Sequence, residues 1–185
     1  MGRWEPDAQG RMIRAAMELF AERGFEQTTA GDIAERAGVT ERTFFRHFPD
    51  KREVLFDSSH ALERTAVDAI LAAPAGLAPL DAALAGMTAA GSLLEDRRDH
   101  SVRRSAIIAA NPGLQERELL KLAALAAATA DALRTRGVPD PAATLAAQSA
   151  VTVFQVGFAR WVSAEDPPGF ATCVTDAAAE LRALT

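Results

Sequence analysis

A close series of helix start and stop signals between residues 24 and 53 constrains the fold more than any other feature of the sequence. In chain order the signals are Gly24, the pair Thr29 and Asp32, the turn Gly38-Val39, Thr40, Pro49, and the pair Asp50 and Glu53. Glycine favours the end of a helix, a threonine or aspartate followed three positions later by an acidic residue favours a start, and the residue before proline avoids helical geometry. The series predicts a first helix from near residue 7 or 10 to residue 23, short helices over about 29–37 and 41–48, and a long helix from 51 to about 73.

The rest of the sequence is also helical in pattern. It shows no sustained two-residue alternation and no Asn-Gly or Asp-Gly hairpin turn. Prolines and glycines divide it into predicted helices over about 80–94, 98–110, 112–137, 141–164 and 170–184. We therefore predict an all-α protein of nine helices, with a three-helix domain over residues 1–52 and a six-helix bundle over residues 53–185.

The third predicted helix, residues 41–48, has two opposite faces. At about 100° per residue, Phe44 and Phe48 share one face, and Arg42 and Arg46 share the other. The flanking positions are held by Thr43, Phe45 and His47. Two short helices joined by a glycine turn, the second of them basic, are typical of a helix-turn-helix whose second helix enters the DNA major groove.

The charge distribution permits this interpretation, although the net charge of −5 does not by itself suggest a nucleic-acid partner. Residues 1–52 hold nine Lys/Arg and nine Asp/Glu, so residues 53–185 account for the whole negative excess. Within residues 40–52, four arginines and lysines face two acidic residues. Such a local basic surface can bind a polyanion. A solvated helix face is the alternative explanation for the two arginines.

Residues 9–56 resemble the DNA-binding domain of TetR-family transcriptional regulators. The resemblance is carried by "AAMELFAERGFEQTTAGDIAERAGVTERTFFRHFPDKREVLF", residues 15–56, which fits the family pattern without gaps. It implies a homodimer that binds a near-palindromic double-stranded DNA operator as a repressor. Residues 1–52 would be the helix-turn-helix DNA-binding domain, and residues 53–185 the ligand-binding and dimerisation domain.

The resemblance also implies roles for individual side chains. The implied phosphate contacts are Thr29, Thr40, His47 and Lys51. Arg42 and Thr43 would face base edges, and Arg46 would face the backbone or a base. Phe45 is a further DNA-binding candidate. Phe45 stands where tyrosine is common in the family, so a hydroxyl contact with phosphate is absent there. Ala30 and Gly31 stand where many members carry longer polar side chains that reach DNA.

Residues 103–162 resemble the ligand domain of TetR regulators related to the mycofactocin regulators, which are associated with fatty acyl-CoA ligands. This implies that a small hydrophobic effector, with fatty acyl-CoA as the first candidate, releases the operator. The candidate ligand-binding residues are Met87, His100, Arg103, Arg104, Phe154, Gln155, Phe158 and Trp161. Arg103 and Arg104 are adjacent and cannot share a helix face, so at most one of them points inward.

Residues 150–162, "AVTVFQVGFARWV", are apolar around nearly the whole circumference of a helix. A helix of this kind is buried on more than one side. One side would face its own core and the other a second copy of the chain, with the helix over 170–184 as its companion in a homodimer interface. From the pattern alone, the central helix of a monomeric bundle is the alternative.

The sequence shows no pattern of a catalytic or metal site. Its histidines, at positions 47, 60 and 100, have no metal-binding spacing, Cys173 is the only cysteine, and no G-x-S-x-G elbow or phosphate loop occurs. We expect no enzyme activity, metal or cofactor. A non-sensing architectural DNA-binding protein and a small helical enzyme are the alternative functions. The first ten residues lack a signal-peptide core and the longest apolar stretches are too short to cross a bilayer, so we expect a cytoplasmic protein without a membrane partner.

Overall fold

The computed structural model describes residues 7–56 and 59–184, and the side chains of residues 59 and 60 lie outside the described set. These residues form nine α-helices and no strand. The helices are α1 (Ala8–Arg23), α2 (Ala30–Arg36), α3 (Glu41–His47), α4 (Ser59–Ala72), α5 (Pro79–Ser92), α6 (Arg98–Ala109), α7 (Pro112–Thr135), α8 (Ala142–Ser163) and α9 (Phe170–Ala183). The predicted all-α class is confirmed, and each predicted helix has one counterpart.

Local signals set the ends of the first three helices as predicted. Gly24 follows α1 with a φ of 85°, and Gly38 makes the turn between α2 and α3 with a φ of 68°. L-residues with a side chain rarely adopt such angles, so glycine suits both turns. Thr29 and Asp32 form a complete capping box at the start of α2, and Thr40 caps α3.

The predicted long helix from residue 51 is wrong at its start. The Asp50 carboxylate accepts from the backbone N–H groups of Arg52 and Glu53, as a cap should, but only a 3-10 turn over Glu53–Leu55 follows. The helix α4 begins at Ser59. The Leu55 carbonyl instead accepts a hydrogen bond from Arg104, 49 positions along the chain. The pattern of Asp50 and Glu53 is local in the sequence, so it gives no signal for a partner as distant as Arg104.

The described residues divide into two compact units. The first takes the residues up to 56 together with Arg103–Glu116, and the second takes the remainder. The predicted boundary at residue 52 therefore differs from the observed division. Packing explains the difference, because Val54, Leu55 and Phe56 are buried in the core of the first unit together with two residues of the 103–116 segment.

Two glycines allow close helix approach within the second unit. A Cβ atom added at Gly86 of α5 would lie 2.8 Å from the Ala66 carbonyl oxygen of α4. One added at Gly157 of α8 would lie 3.2 Å from the Cys173 backbone of α9. The core of this unit is built from α4, α5, α7, α8 and α9, and it includes the buried Cys173.

Charged side chains form hydrogen bonds with backbone groups at several helix ends in the second unit. Arg136 donates to three carbonyls at the end of α4, at 2.6–3.0 Å. Arg98 donates to the Trp161 carbonyl near the end of α8 at 3.1 Å. Glu95 accepts from the Phe170 N–H at the start of α9 at 2.6 Å. Backbone groups at helix ends have no partner within the helix, so these side chains satisfy groups that would otherwise need water.

The helix α8 is long and apolar enough to cross a membrane, by length and composition only, which corrects the expectation that every apolar stretch is too short. The mean hydropathy of its most apolar window is 1.3, and 44% of that window is buried inside the protein. Ala147, Val151 and Phe154 are among its buried residues. This burial is typical of a core helix in a helical bundle. Such a core helix can also be long and apolar enough to cross a membrane.

Candidate nucleic-acid interface

One face of α3 is fixed in the core of the first unit. Phe44 and Phe48 are almost completely buried, and their ring centroids lie 5.4 Å apart. Because residues four apart share a helix face, this anchoring directs the opposite face outward. Arg42 and Arg46 are exposed there, so the amphipathic pattern predicted for this helix is confirmed.

These two arginines differ from the other cations around them. Among the described residues 7–56, they are the only arginine or lysine side chains without a hydrogen bond or ion pair. The others pair with carboxylates or backbone carbonyls: Arg11, Arg14, Arg23, Arg36, Lys51 and Arg52. A guanidinium carries five N–H donors, which match phosphate oxygens and the O6 and N7 atoms of guanine. Arg42 and Arg46 are therefore available to a polyanion.

The Thr29 side chain already uses its hydroxyl proton. Its O–H and its backbone N–H both donate to the Asp32 carboxylate, at 2.7 and 2.8 Å, and Arg23 pairs with the same carboxylate at 3.0 Å. The hydroxyl and N–H of Thr29, with further help from Arg23, hold the pKa of Asp32 below its ordinary value. A phosphate accepts hydrogen bonds and cannot donate them. In this geometry the Thr29 hydroxyl therefore cannot make the predicted phosphate contact.

Thr40 and Thr43 lie together at the start of α3. The Thr40 Oγ1 accepts from the Thr43 N–H at 3.2 Å and lies 3.0 Å from the Thr43 Oγ1. Thr40 is exposed, and Thr43 is half-buried. Both predicted DNA contacts thus lie beside Arg42, on the outward side of the helix.

Lys51 has a structural role that the sequence did not predict. Its Nζ donates to the carbonyls of Phe25, Glu26 and Thr28 at 2.8, 3.3 and 2.9 Å, and it lies 4.3 Å from the centre of the Phe25 ring. An ammonium has three donors, and all three have an acceptor here. We therefore assign Lys51 a structural role in place of the predicted phosphate contact, because its ammonium binds the loop between α1 and α2.

Phe45 and His47 complete the outward side of α3. Phe45 is 50% exposed and meets the Phe44 ring edge-on at a centroid distance of 5.5 Å. His47 is half-buried, and its Nε2 is buried without a hydrogen-bond partner. The predicted phosphate contact of His47 would therefore have to use Nδ1.

The aromatic residues predicted to line a ligand site pack against one another instead. Phe154, Phe158 and Trp161 surround the ring of Phe170, with centroid distances of 5.3, 6.5 and 5.5 Å. Trp161 and Met87 are fully buried, and Phe158 is half-buried. In this structure these side chains pack in the hydrophobic core of the second unit.

The predicted polar ligand contacts are divided between the two compact units. Arg104 belongs to the first unit, where its Nε donates to the Leu55 carbonyl at 2.6 Å and its guanidinium lies 5.0 Å from the Phe56 ring. Arg103, in the same unit, is exposed. His100 and Gln155, which belong to the second unit, are half-buried. Arg104 is therefore better explained as an anchor of the turn at Leu55 than as a ligand contact.

Two surface clefts lie away from all predicted ligand residues. One of about 390 Å³ lies between α1 and α2, and one of about 240 Å³ lies between α7 and α8. The first is lined by Leu19, Glu22, Arg23, Asp32, Glu35 and Arg36. The second is lined by Ala123, Ala126, Ala127, Ala130, Asp131, Arg134, Thr144 and Gln148. Within the described residues, no group of three His, Cys, Asp or Glu side chains could hold a metal ion.

Sequence reasoning missed the side chains that position the helix-turn-helix. The Arg11 Nε of α1 donates to the Ala37 carbonyl at 3.1 Å, at the turn between α2 and α3. Arg36 of α2 binds Glu22 of α1 through two hydrogen bonds of 2.8 and 2.9 Å, which hold the pKa of the Glu22 carboxyl below its ordinary value. These partners are 14 to 26 positions apart, so helix periodicity gives no signal for them.

The N-terminal part of the chain matches a known family. Residues 12–57 match the model described as bacterial regulatory proteins of the tetR family. The HTH-type transcriptional regulator TcmR of Streptomyces glaucescens is 44% identical over 72 residues, which are 39% of this chain and 32% of that protein. The match to curated relatives thus spans no more than about a third of their length, and these relatives are named as transcriptional regulators rather than as enzymes.

Solved structures share the fold over nearly the whole chain. A TetR-family transcriptional regulator from Mesorhizobium loti superimposes with a TM-score of 0.59 at 20% identity, over 95% of this chain and 94% of that one. The Thermus thermophilus FadR, a TetR-family transcriptional repressor in complex with lauroyl-CoA, has a TM-score of 0.53 at 25% identity, over 94% and 93% of the two chains.

Proposed function

We propose that this chain, whose residues 12–57 match the model of the bacterial regulatory proteins of the tetR family, is a transcriptional repressor that reads duplex DNA with α3. The observation that carries the proposal is the outward face of α3, where Arg42 and Arg46 are exposed and unpaired while Phe44 and Phe48 hold the opposite face in the core.

The side chains of α3 divide into two kinds of DNA contact. Arg42 and Thr43 would face base edges, since arginine suits guanine O6 and N7 and threonine suits several bases. Phe45 would meet a thymine methyl group. Arg46 would contact the backbone or a base, and the Nδ1 of His47 a phosphate. Phosphate contacts position the protein, and base contacts give sequence preference.

We further propose that the protein binds its operator as a homodimer through α8 and α9. On α8, exposed residues at positions 145, 152, 156, 159 and 163 lie within a sector of about 60°. Leu145 and Val156 in this stripe are 63% and 39% exposed. Phe158 and Trp161, which lie in the predicted interface segment 150–162, belong to the aromatic core and not to this stripe. Two-fold symmetry would then place two α3 helices on a near-palindromic operator.

The proposed effector is a small hydrophobic molecule, with fatty acyl-CoA as the first candidate. The likeness to FadR, which was solved with lauroyl-CoA, supports this class. A buried polar atom in the second unit also supports it. The Thr129 hydroxyl on α7 is completely buried without a partner, and its neighbours one turn away, Leu125 and Leu133, lie in the core. A buried hydroxyl without a hydrogen-bond partner lowers stability by about 1–3 kcal/mol. A ligand that enters this core could supply the missing hydrogen bond.

The experiment that tests the repressor proposal is selection of duplexes from a randomised library by the purified protein, followed by affinity measurements on the selected and on random duplexes. A repressor should prefer its selected duplex by roughly 10³-fold or more at physiological salt. Comparable affinity for both duplexes would favour the architectural DNA-binding alternative, and no binding to either would overturn the proposal.

Effector binding can be followed separately by fluorescence. The chain has tryptophans only at positions 4 and 161, so Trp4→Phe leaves Trp161 in the aromatic core as the single probe. Lauroyl-CoA should change its emission and release the selected duplex, whereas coenzyme A without the acyl chain should do neither. A response to both compounds, or to neither, would contradict the acyl-CoA assignment.

A further inference from the structure

Glu41 carries an unpaired carboxylate next to the unpaired guanidinium of Arg42. Its side chain is exposed and makes no hydrogen bond or ion pair with the described residues. Among the described residues 7–56, the other carboxylates without a partner are those of Glu26 and Glu35, and neither of these lies on α3. A carboxylate on a DNA-binding helix repels phosphates in every sequence, so it lowers affinity for DNA unless it also makes a favourable contact.

Helix geometry explains why Glu41 and Arg42 do not pair with each other or with their neighbours on α3. Side chains on a helix meet at spacings of three and four, and successive residues point about 100° apart. Three and four positions after Glu41 stand Phe44 and Phe45. The corresponding positions after Arg42 are Phe45 and Arg46. Neither charge therefore meets an opposite charge on its own helix.

The neighbouring helix α2 leaves the Glu41 carboxylate unpaired as well. It approaches this carboxylate at Gly31, where an added Cβ atom would lie 3.9 Å from the Glu41 Cδ and Oε2 atoms. Glycine has no side chain that could donate a hydrogen bond. Arg36, the cation of α2, binds Glu22 of α1 instead. The carboxylate oxygens of Glu41 are therefore available to a donor from outside the protein.

From these positions, and resting on the proposed DNA-binding function, we infer that Glu41 and Arg42 together read one G·C base pair. In the major groove, guanine presents the acceptors N7 and O6, and its paired cytosine presents the N4 amino donor beside them. Arg42 donates to the guanine, and the Glu41 carboxylate accepts from cytosine N4. Residues at this end of a recognition helix contact base edges in helix-turn-helix proteins. Glu41 is thus a specificity-determining residue.

The two opposite charges select one base pair in one orientation. The reversed pair sets the cytosine amino group against the Arg42 guanidinium and guanine O6 against the Glu41 carboxylate. An A·T pair with adenine beside Arg42 sets thymine O4 against the carboxylate, and the opposite orientation offers the guanidinium one acceptor instead of two. Because the carboxylate repels phosphates in all sequences and gains a hydrogen bond at few of them, it lowers binding to other sequences more than binding to the operator.

The test uses N4-methylcytosine, which still pairs with guanine but carries a methyl group in place of the amino hydrogen in the major groove. Each cytosine is replaced in turn in the duplex that the wild-type protein selects from a randomised library. At one cytosine of a half-site, we expect the replacement to weaken wild-type binding by roughly tenfold, as for one hydrogen bond to a charged group. The same replacement should change the affinity of Glu41→Ala by about twofold or less, because the acceptor is gone.

Glu35→Ala is the matched control, because Glu35 is also exposed and unpaired but lies on α2. It should keep the wild-type loss at the modified cytosine. If Glu41 only stabilises the start of α2 by its charge, Glu41→Ala will melt at a lower temperature and keep that loss, which would overturn the inference. A wild-type protein that tolerates N4-methylcytosine at every position would overturn it without any variant. Failure of the wild-type protein to select a duplex would instead refute the proposed function itself.

Discussion

Replacing Lys51 by methionine distinguishes a structural lysine from a DNA-binding one. The methionine keeps most of the side-chain length and apolar contact but removes the ammonium. The structure assigns that ammonium to the carbonyls of Phe25, Glu26 and Thr28, and to the face of the Phe25 ring. We therefore expect Lys51→Met to destabilise the first unit and to leave the phosphate contacts unchanged.

The expected magnitude follows from these contacts. The two short bonds are charge-assisted, and each such bond contributes about 1.5–3 kcal/mol when it is buried. The third bond, at 3.3 Å, is weaker, and the ring adds about 0.5–1 kcal/mol. Water can reach this partly exposed site, and ordering a lysine side chain costs up to about 2 kcal/mol. We expect the free energy of unfolding to fall by about 2–3 kcal/mol.

Urea denaturation followed by circular dichroism measures this change, with Arg52→Met as the matched control. Arg52 is the next residue, and its guanidinium pairs with Asp50 in a surface ion pair in which it is 54% exposed. Exposed ion pairs contribute about 0–1 kcal/mol, so the control should be nearly neutral. A loss of stability equal in both variants would show that the three carbonyl contacts add nothing specific.

The salt dependence of DNA binding provides the second measurement. Each phosphate contact contributes about 0.9 to the slope of log affinity against log salt concentration, because it releases counterions. Lys51→Met should keep the wild-type slope at a temperature at which it is folded, whereas Arg46→Met should flatten it if Arg46 binds the backbone. A flatter slope for Lys51→Met, together with unchanged stability, would refute the structural role and support the phosphate contact predicted from the sequence.

Other changes should have distinct effects. Arg42→Ala should weaken binding to the selected duplex by about 1–3 kcal/mol and relax base preference; equal losses on selected and random duplexes would show that α3 does not read bases. Val156→Glu should give monomers in sedimentation with little loss of stability, because Val156 is 39% exposed, and an intact dimer would contradict the α8 interface. Thr129→Val should raise the melting temperature of the ligand-free protein and weaken binding of lauroyl-CoA, and unchanged affinity would remove Thr129 from the effector site. The pKa of Asp32 is lowered in the folded protein, so its capping box stabilises α2 above the ordinary carboxyl pKa and fails as the pH drops through the folded value. Acid titration of Asp32→Asn, which lacks this group, should show a smaller loss of stability in that range.

Elements whose ends depend on local signals could be predicted from the sequence. The capping box of Thr29 and Asp32, the turn at Gly38 and the cap at Thr40 each satisfy backbone groups within three residues. The faces of α3 follow from periodicity in the same way. Local chemistry determines these features, and the sequence displays local chemistry directly.

Features determined by distant partners could not be predicted in this way. The capping pair at Asp50 gave only a 3-10 turn, and the Leu55 carbonyl there binds Arg104, 49 positions away. Lys51 binds carbonyls 23 to 26 positions before it. For Trp161, composition showed an apolar helix but not which side meets the ring of Phe170. Helix periodicity contains no information about partners of this kind.

The neutral charge of residues 1–52 is compatible with a DNA-binding surface because most of the charges cancel locally. Glu18, Glu22, Asp32 and Asp50 each bind an arginine within the first unit. Charges paired at about 3 Å contribute little field beyond a Debye length of about 8 Å at physiological salt. What a polyanion meets at close range is then set by the unpaired groups, and on α3 the unpaired cations are Arg42 and Arg46, beside the exposed carboxylate of Glu41. The position of unpaired cations, rather than net charge, therefore determines where an acidic protein of this kind can bind DNA.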